Sequence, residues 1–464
     1  MHPPLSRYRN LCLIFAALTF FLNPFIGVGK DFSTETARPA PPWVRDGIVY
    51  EIFPRNFSTT GDFNGITAKL DELRDLGVTI LWLMPIHPTG QEKSKGTFGS
   101  PYAVQDFFAI NPNYGTKDDF KKLIAQSHQR GMKVIIDIVA NHTAWDSVMM
   151  KTPEFYAKDE SGKIRPPVAD WFDVAQLDYK NPKLRNYMIG MLKYWVKEFD
   201  LDGFRCDVAH MMPVDFWEQA RVALTEIKPD ILLLAEASEP ALLMKAFDMD
   251  YAWPFHGTLN RVLLEGAPAS DFKKSWEECH ARFPKGSLHL RISDNHDEAR
   301  AVARFGIKGA LAASVLMFTL DGVPLLYNGM EVGDATESGA PALFEKLPVY
   351  WEPKERPPLR TIYRELIALR KKHSAFRNDR VIWLKNSNDA DVVTLMRLDQ
   401  NDEFVIVINF SNRPMVGKVE VLNSGAFKQI LPAEEIAQGL PLFSLNGFEY
   451  RIYYRQVSKQ ARAN

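Results

Sequence analysis

The chain has 464 residues, of which 46% are hydrophobic, 12% aromatic and 24% charged, and this composition excludes a wholly disordered protein. The formal net charge of -1 provides no overall field for attracting nucleic acid or anionic lipid, so we expect no nucleic-acid partner. The 3 cysteines are too few for a disulfide framework, and their spacing does not match a metal site.

The first thirty residues have the pattern of an export signal. Arg7 and Arg9 form a positive region, and the apolar run LCLIFAALTFFL that follows is short for a membrane span. Gly27 and Gly29 provide small residues for cleavage, and an uncleaved N-terminal anchor is the alternative. We therefore predict a signal peptide at 1–30, a linker at 31–44 and a mature chain without a transmembrane domain, either periplasmic or secreted.

Between residues 45 and 380, short apolar strands alternate with amphipathic helices. The predicted strands are GIVYEIF, VTILWLM, KVIIDIVAN, GFRCDV, ILLLAEA, DMDYAW, LHLRISDN and VPLLYNG. Eight strand–helix units are what a (β/α)8 barrel requires, so we predict an α/β fold of the TIM-barrel type. A doubly wound open sheet is the alternative.

Two segments depart from this alternation. The interval 142–181 is too long for an ordinary loop and predicts a small inserted subdomain after the third strand. Residues 381–460 contain short alternating runs such as EFVIVINF and FEYRIYYR, which predict a C-terminal antiparallel β-sandwich.

Polar residues gather at the C-terminal ends of the predicted strands, where barrel enzymes carry their active sites. Arg205 and Asp207 alternate onto one face of the fourth strand, and Glu236 ends the fifth. Asp297 follows the seventh strand. Three carboxylates at one mouth repel each other, so this arrangement favours a catalytic function over a structural ion pair.

Four segments in order, VIIDIVANHTA, GFRCDVAH, LLLAEA and SDNHDEAR, resemble the four signature regions of the α-amylase family, glycoside hydrolase family 13. The loop SPYAVQDFFAINPNYGT and the eighth strand GVPLLYNGMEVG agree with this resemblance. The resemblance implies a (β/α)8 glycosidase that hydrolyses α-1,4-glucosidic bonds in starch-, glycogen- or maltodextrin-type glucans.

The resemblance also implies roles for individual residues. Asp207 would be the nucleophile, Glu236 the general acid and base, and Asp297 the carboxylate that favours the distorted transition state. The substrate-binding residues would be Tyr102, His142, Arg205, His210 and His296. The implied chemistry is retaining double displacement through a covalent glycosyl-enzyme, with the carboxyl groups of Asp207 and Glu236 about 5–5.5 Å apart.

Metal binding is less defined. The chemistry needs no cofactor, but Asn141 and Asp178 lie where some family members place ligands of a structural Ca²⁺. Pro101 before Tyr102 departs from the more common His-Gly-Tyr motif of this loop. Asp137, in the middle of the third strand, is interpreted as a hydrogen-bond acceptor inside the barrel.

Substrate choice also stays open at this level. An α-glucan transglycosylase or isomerising enzyme would use the same signature regions, and a catalytically silent binding relative is a further alternative. Four aromatic residues are candidates for additional sugar subsites, although packing explains each of them equally well: Tyr114, Trp145, Tyr156 and Trp171.

Overall fold

The structure is a computed structural model that describes residues 31–336, 339–351, 359–433 and 439–457. The predicted signal peptide at 1–30 lies outside the described residues, so that prediction is untested by the structure. The predicted limits of the linker, barrel, insertion and sandwich likewise stay predictions.

Eight parallel strands close into a barrel in which each strand pairs with its neighbours in the chain and the first pairs with the last. The strands, numbered here as barrel strands 1 to 8, are Val49–Ile52, Ile80–Leu83, Lys133–Ile138, Gly203–Cys206, Leu232–Ala235, Met249–Tyr251, His289–Arg291 and Val323–Tyr327. They are buried almost throughout, as expected for parallel strands that helices cover from outside. This closure confirms the predicted barrel and excludes the open sheet.

Hydrogen bonds beyond the strand ends hold the polar side chains at one level. Asp137 lies opposite Arg205 in the pairing of strands 3 and 4. The backbone N–H of Asp207 then donates to Ile138, and the N–H of Glu236 donates to Cys206, both at 3.0 Å. The ladder therefore continues past the strands and places Asp207 and Glu236 on the same rim.

The helix Pro182–Phe199 shows how sequence pattern becomes packing. Asn181 caps its N-terminus by accepting a hydrogen bond from the N–H of Lys183, and proline occupies the first helical position. Met188 and Trp195 belong to its apolar stripe, which faces the core. The other α-helices are Pro42–Arg45, Pro54–Phe57, Phe63–Thr67, Leu70–Leu76, Lys117–Gln129, Val214–Thr225, Leu242–Lys245, Trp253–Glu265, Asp271–Arg282, Ala301–Thr319, Ala340–Phe344 and Leu359–Lys372.

Among the described residues, the helix Ala301–Thr319 alone is long and apolar enough to cross a membrane. However, 61% of its most apolar window is buried inside the structure, as in a helix that belongs to a protein core.

The segment after barrel strand 3 forms the predicted insertion. His142–Ala144 pairs antiparallel with Val174–Gln176, and two short 3₁₀ turns, Val148–Lys151 and Pro153–Phe155, lie between them. Because the first of these strands begins four residues after strand 3 ends, the insertion is attached at the mouth of the barrel.

The C-terminal region is a sandwich, as predicted. A five-stranded antiparallel sheet contains Val381–Trp383, Val392–Leu398, Asp402–Asn409, Tyr450–Gln456 and Lys428–Leu431, and a second sheet pairs Met415–Lys418 with Leu442–Leu445. Alternate residues of one central strand face two different cores. Phe404, Ile406 and Ile408 join the core of the barrel, whereas Val405 and Val407 join that of the sandwich.

Candidate active site

A single guanidinium group contacts two of the three predicted catalytic carboxylates. Nη1 of the fully buried Arg205 lies 2.9 Å from Oδ1 of Asp207, and Nη2 lies 2.8 Å from Oε2 of Glu236. Nη1 also donates to both oxygens of Asp137 at 2.9 Å. Arg205 and Asp207 thus share one face of strand 4, as their alternation predicted, and Asp137 is the hydrogen-bond acceptor that was expected.

The third carboxylate joins this cluster through His296. Nε2 of His296 lies 3.2 Å from Oδ2 of Asp297 and 2.6 Å from the Tyr102 hydroxyl, whose ring stacks on the imidazole at 5.4 Å between centroids. The same hydroxyl donates to Asp137 at 3.1 Å. A continuous hydrogen-bonded network therefore links Asp297 to the group around Arg205.

The three carboxyl groups differ in their access to solvent. The side chain of Asp207 is 9% exposed and that of Glu236 is 15% exposed, whereas that of Asp297 is 39% exposed. Asp207 is thus at the floor of the site, and Asp297 lies nearer the opening.

Burial and neighbouring charges perturb these carboxyl groups in opposing directions. Burial raises the pKa of Glu236, the charge of Arg205 opposes the rise, and the nearby Asp207 carboxylate adds to it. For Asp207, burial also raises the pKa, and the charge of Arg205 is the largest opposing influence. Burial raises the pKa of Asp297 while His296 lowers it, and solvent screens part of both effects at this more exposed group.

The turn after strand 4 contains a strained residue. Val208 has φ 36° and ψ 46°, a left-handed conformation that is costly for a β-branched side chain. In this conformation its backbone N–H donates to Oε2 of Glu236 at 2.8 Å. Oε2 therefore accepts a hydrogen bond from Val208 and lies in ion-pair contact with Arg205, so a proton on Glu236 belongs on its other oxygen, Oε1.

His142 is buried at the start of the insertion. Among the described residues, no hydrogen bond joins it to any of the three carboxylates. Burial lowers its pKa to about 4, so the imidazole is neutral near pH 7. Its ring edge meets Trp171 at 5.6 Å, and a hydrogen bond to the backbone of Tyr102 connects it to the loop that carries Tyr102.

His210 differs from the other predicted site residues because it is exposed. It lies in the 3₁₀ turn Ala209–Met211, directly after the strained turn that carries Asp207.

Three buried residues of the site were missed by sequence reasoning. Glu51 in strand 1 pairs with Nδ1 of His296, and the ring of Trp82 meets His296 edge-on at 5.9 Å. The Tyr251 hydroxyl lies 3.4 Å from Nε of Arg205. A signal for Glu51 existed, because it is the single charged residue within an apolar strand.

The aromatic candidates for further subsites separate into two groups. Tyr114 and Tyr156 are 1% and 2% exposed and belong to the core, so packing is the correct interpretation for these two. Trp145 and Trp171 are half-buried within the insertion, and Trp145 donates to the carbonyl of Phe172 at 2.8 Å. These two stay candidates.

The two predicted calcium ligands, Asn141 and Asp178, make hydrogen bonds with other groups in the structure. The amide Nδ2 of Asn141 faces Nδ1 of His142 and the sulfur of Met211, and Asp178 accepts a hydrogen bond from the N–H of Lys180. Within the described ranges, no group of three or more His, Cys, Asp or Glu residues could hold a metal ion. Two side chains supply only part of the 6–8 oxygen ligands that Ca²⁺ takes, so the structural calcium ion stays a prediction from the family resemblance.

The fold and the site together define a (β/α)8 enzyme whose candidate reacting groups are carboxyl groups at the C-terminal rim of the barrel. Comparison with known proteins then identifies its family. The alpha amylase catalytic domain matches residues 51–173 and 169–353. The chain therefore belongs to the alpha-amylase family and is a glycoside hydrolase, as its signature segments predicted.

Similar proteins come from several bacteria. An intracellular maltogenic amylase of Bacillus subtilis strain 168 is 27% identical, covering 89% of this chain and 76% of the relative. A cyclomaltodextrinase of Geobacillus thermopakistaniensis is also 27% identical, covering 80% of this chain and 70% of the relative. The crystal structure of a maltogenic alpha-amylase from Thermotoga neapolitana has a TM-score of 0.82 and 30% identity, covering 89% of this chain and all of that one. An alpha-amylase from Lactobacillus plantarum has a TM-score of 0.81 and 30% identity, covering 89% of this chain and 99% of that one.

Proposed function

We propose that this glycosidase acts on α-glucans of the starch, glycogen or maltodextrin type, and that it hydrolyses their α-1,4 bonds with retention of configuration. The observation that carries the proposal is the contact of one buried guanidinium with both Asp207 and Glu236. The names of the relatives, maltogenic amylase and cyclomaltodextrinase, support the substrate class.

In the first step, a carboxylate oxygen of Asp207 attacks the anomeric carbon and the glycosidic bond breaks. The departing oxygen takes the proton of Glu236, whose pKa is raised by burial and by the nearby Asp207 carboxylate. Asp207 is then an ester of the sugar and Glu236 is ionised. Arg205 favours the ionised form of Asp207 before the attack and holds both groups in place.

In the second step, Glu236 takes a proton from water, and the resulting hydroxide oxygen bonds to the anomeric carbon. The ester bond to Asp207 breaks, and both carboxyl groups return to their starting protonation states. Two inversions at the same carbon give net retention.

The remaining residues bind the sugar whose bond is broken. Asp297 is the most exposed of the three carboxylates and accepts hydrogen bonds from its hydroxyl groups. Tyr102 offers a ring face beside His296, and His142 offers a neutral imidazole. His210 is accessible on the side of the leaving group.

The test is the activity of Asp207→Asn on maltoheptaose, with Asp118→Asn, a change at an exposed helical position, as the matched control. We expect Asp207→Asn to lose about 10⁴-fold or more of the hydrolysis rate, since a covalent nucleophile is removed. An unchanged rate would refute both the nucleophile and the proposed mechanism.

Product analysis by NMR tests the finer points. Fresh product in the α-anomeric form supports retention, and β-anomeric product refutes it. Products shorter than maltoheptaose support hydrolysis, whereas oligomers longer than the substrate indicate a transglycosylase. No turnover by the wild-type enzyme on any α-glucan would indicate the catalytically silent alternative.

The site of action in the cell has conflicting indications. The pattern of residues 1–30 predicts export, whereas two Bacillus subtilis relatives are named intracellular, which counts against it. Fractionation of the producing cell with sequencing of the mature N-terminus decides between them. A cleaved chain outside the cytoplasm supports export, and an uncleaved cytoplasmic chain refutes it.

A further inference from the structure

Glu51 in barrel strand 1 is a fully buried carboxylate that has no role in the mechanism above. In its strand pairings it lies opposite Trp82 on one side and Tyr327 on the other. Its Oε1 pairs with Nδ1 of His296 at short range, while Oε2 has no hydrogen-bond partner within the described ranges. A buried carboxylate with one partner is costly unless that partner carries a positive charge, which points to an ion pair with a protonated His296.

The groups around this pair favour the cation. The titratable and charged groups that act on His296 or face it are Glu51, Tyr102, Asp137, Arg205, Asp207, Glu236 and Asp297. Those near Glu51 from other elements are Arg205, Tyr251, Asp294, Asp297 and Tyr327. Burial lowers the pKa of His296, but the charges of Asp297 and Glu51 outweigh burial and Arg205 and raise it to about 9.

We propose that Glu51 is a positioning residue for the reaction: its carboxylate accepts the Nδ1 proton of His296, fixes the ring, and leaves Nε2 as a donor toward Asp297, Tyr102 and the sugar. This inference rests on the proposed function of the same site. A histidine in the cationic form has N–H on both ring nitrogens, so it can satisfy Glu51 and donate into the site at once.

The direction of the Nε2 hydrogen bond is the reason that the charge of Glu51 matters. A neutral imidazole has one N–H, and the tautomer that places it on Nε2 would direct the lone pair of Nδ1 at the Glu51 carboxylate. The other tautomer directs the lone pair of Nε2 at Asp297, 3.2 Å away. Either neutral form therefore loses one of two contacts, that of Nδ1 with Glu51 or that of Nε2 with Asp297.

The test compares Glu51→Gln with Glu331→Gln. Glu331 is an equally buried carboxylate, 1% exposed, that accepts a hydrogen bond from Tyr50 at 2.7 Å and also has one oxygen without a partner in the described part of the chain. The ring signals of His296 are followed by NMR against pH in free, histidine-labelled enzyme, and His296→Gln identifies them.

In the wild-type and Glu331→Gln enzymes we expect His296 to titrate at about 9, and in Glu51→Gln to move toward its ordinary value of 6.5. At pH 8, kcat on maltoheptaose falls by about 10²-fold in Glu51→Gln, the scale of a misplaced catalytic group, with a smaller change in KM. Glu331→Gln keeps the wild-type kcat, which separates positioning from a general loss of packing.

Unchanged titration of His296 in Glu51→Gln would overturn the proposal. If that variant does not fold, the wild-type titration decides, because a His296 pKa at or below 6.5 would exclude the ion pair. These readings need no substrate. An active Asp207→Asn would overturn the proposed function. If Asp207→Asn is inactive but His296 titrates in Glu51→Gln as it does in the wild type, only the positioning role is overturned.

Discussion

Replacing Arg205 by lysine tests whether the forked shape of the guanidinium, as well as its charge, organises the site. Nη1 contacts Asp207 and Asp137, and Nη2 contacts Glu236. One ammonium nitrogen cannot reach both sides of this fork, so Arg205→Lys loses either the hydrogen bond to Asp207 or the ion pair with Glu236. A contact of this kind between charged groups contributes about 1.5–3 kcal/mol. At about 1.4 kcal/mol for each factor of ten, we expect kcat/KM to fall by about 10- to 150-fold.

The pH dependence of kcat/KM gives a sharper readout than the rate alone. Arg205 opposes the rise that burial imposes on the pKa of Asp207, so weakening this contact raises that pKa. Asp207 must be ionised to attack, and the acidic limb of the profile should therefore move to higher pH. Arg221→Lys is the matched control, because Arg221 is a buried guanidinium that binds Asp248 and two carbonyl groups outside the site. An acidic limb that stays in place in Arg205→Lys, with kcat/KM within twofold of wild type, would refute the reasoning.

Two further changes test the network and the stability of the barrel. Tyr102→Phe keeps the ring over His296 but removes the hydroxyl that contacts His296 and Asp137. The loss of one hydrogen bond, about 1–1.5 kcal/mol, should lower kcat/KM by about 10-fold. An unchanged kcat/KM in steady-state assays would exclude a role for the hydroxyl. Asp202 accepts hydrogen bonds from His128, Lys133 and the N–H of Val134. Burial raises the pKa of Asp202, but these partners outweigh burial and lower it. The stabilisation from Asp202 is therefore present above the unfolded pKa of about 3.9 and is lost as the pH falls below it. Asp202→Asn should therefore lower Tm at pH 7 and lower it less at pH 3, and an equal loss at both would contradict the assignment.

The barrel was predictable because its strands are continuous apolar runs that end in polar residues. Arg205 and Asp207 show this best, since a strand of alternating side chains places both in the interior. Local pattern also located Glu236 and Asp297, the acids that follow strands 5 and 7. The short strands Val381–Trp383, Lys428–Leu431 and Leu442–Leu445 were missed because they are partly exposed and have no clear apolar alternation to distinguish them from loops.

Partners of the site residues could not be predicted in the same way. Glu51 and His296 are 245 positions apart, and no local periodicity in the sequence encodes their contact. Arg205 finds Asp137 at a separation of 68 positions for the same reason. The barrel closure brings these positions together, so the network becomes visible only when all eight strands are in place.

The strand Asp402–Asn409 has a consequence for how the molecule can be divided. Phe404, Ile406 and Ile408 contribute to the barrel's interior, and their neighbours Val405 and Val407 to that of the sandwich. A chain cut before residue 381 would therefore expose an apolar surface on the barrel where this strand packs. Any chimera built on this scaffold must transplant both parts together or redesign the shared seam.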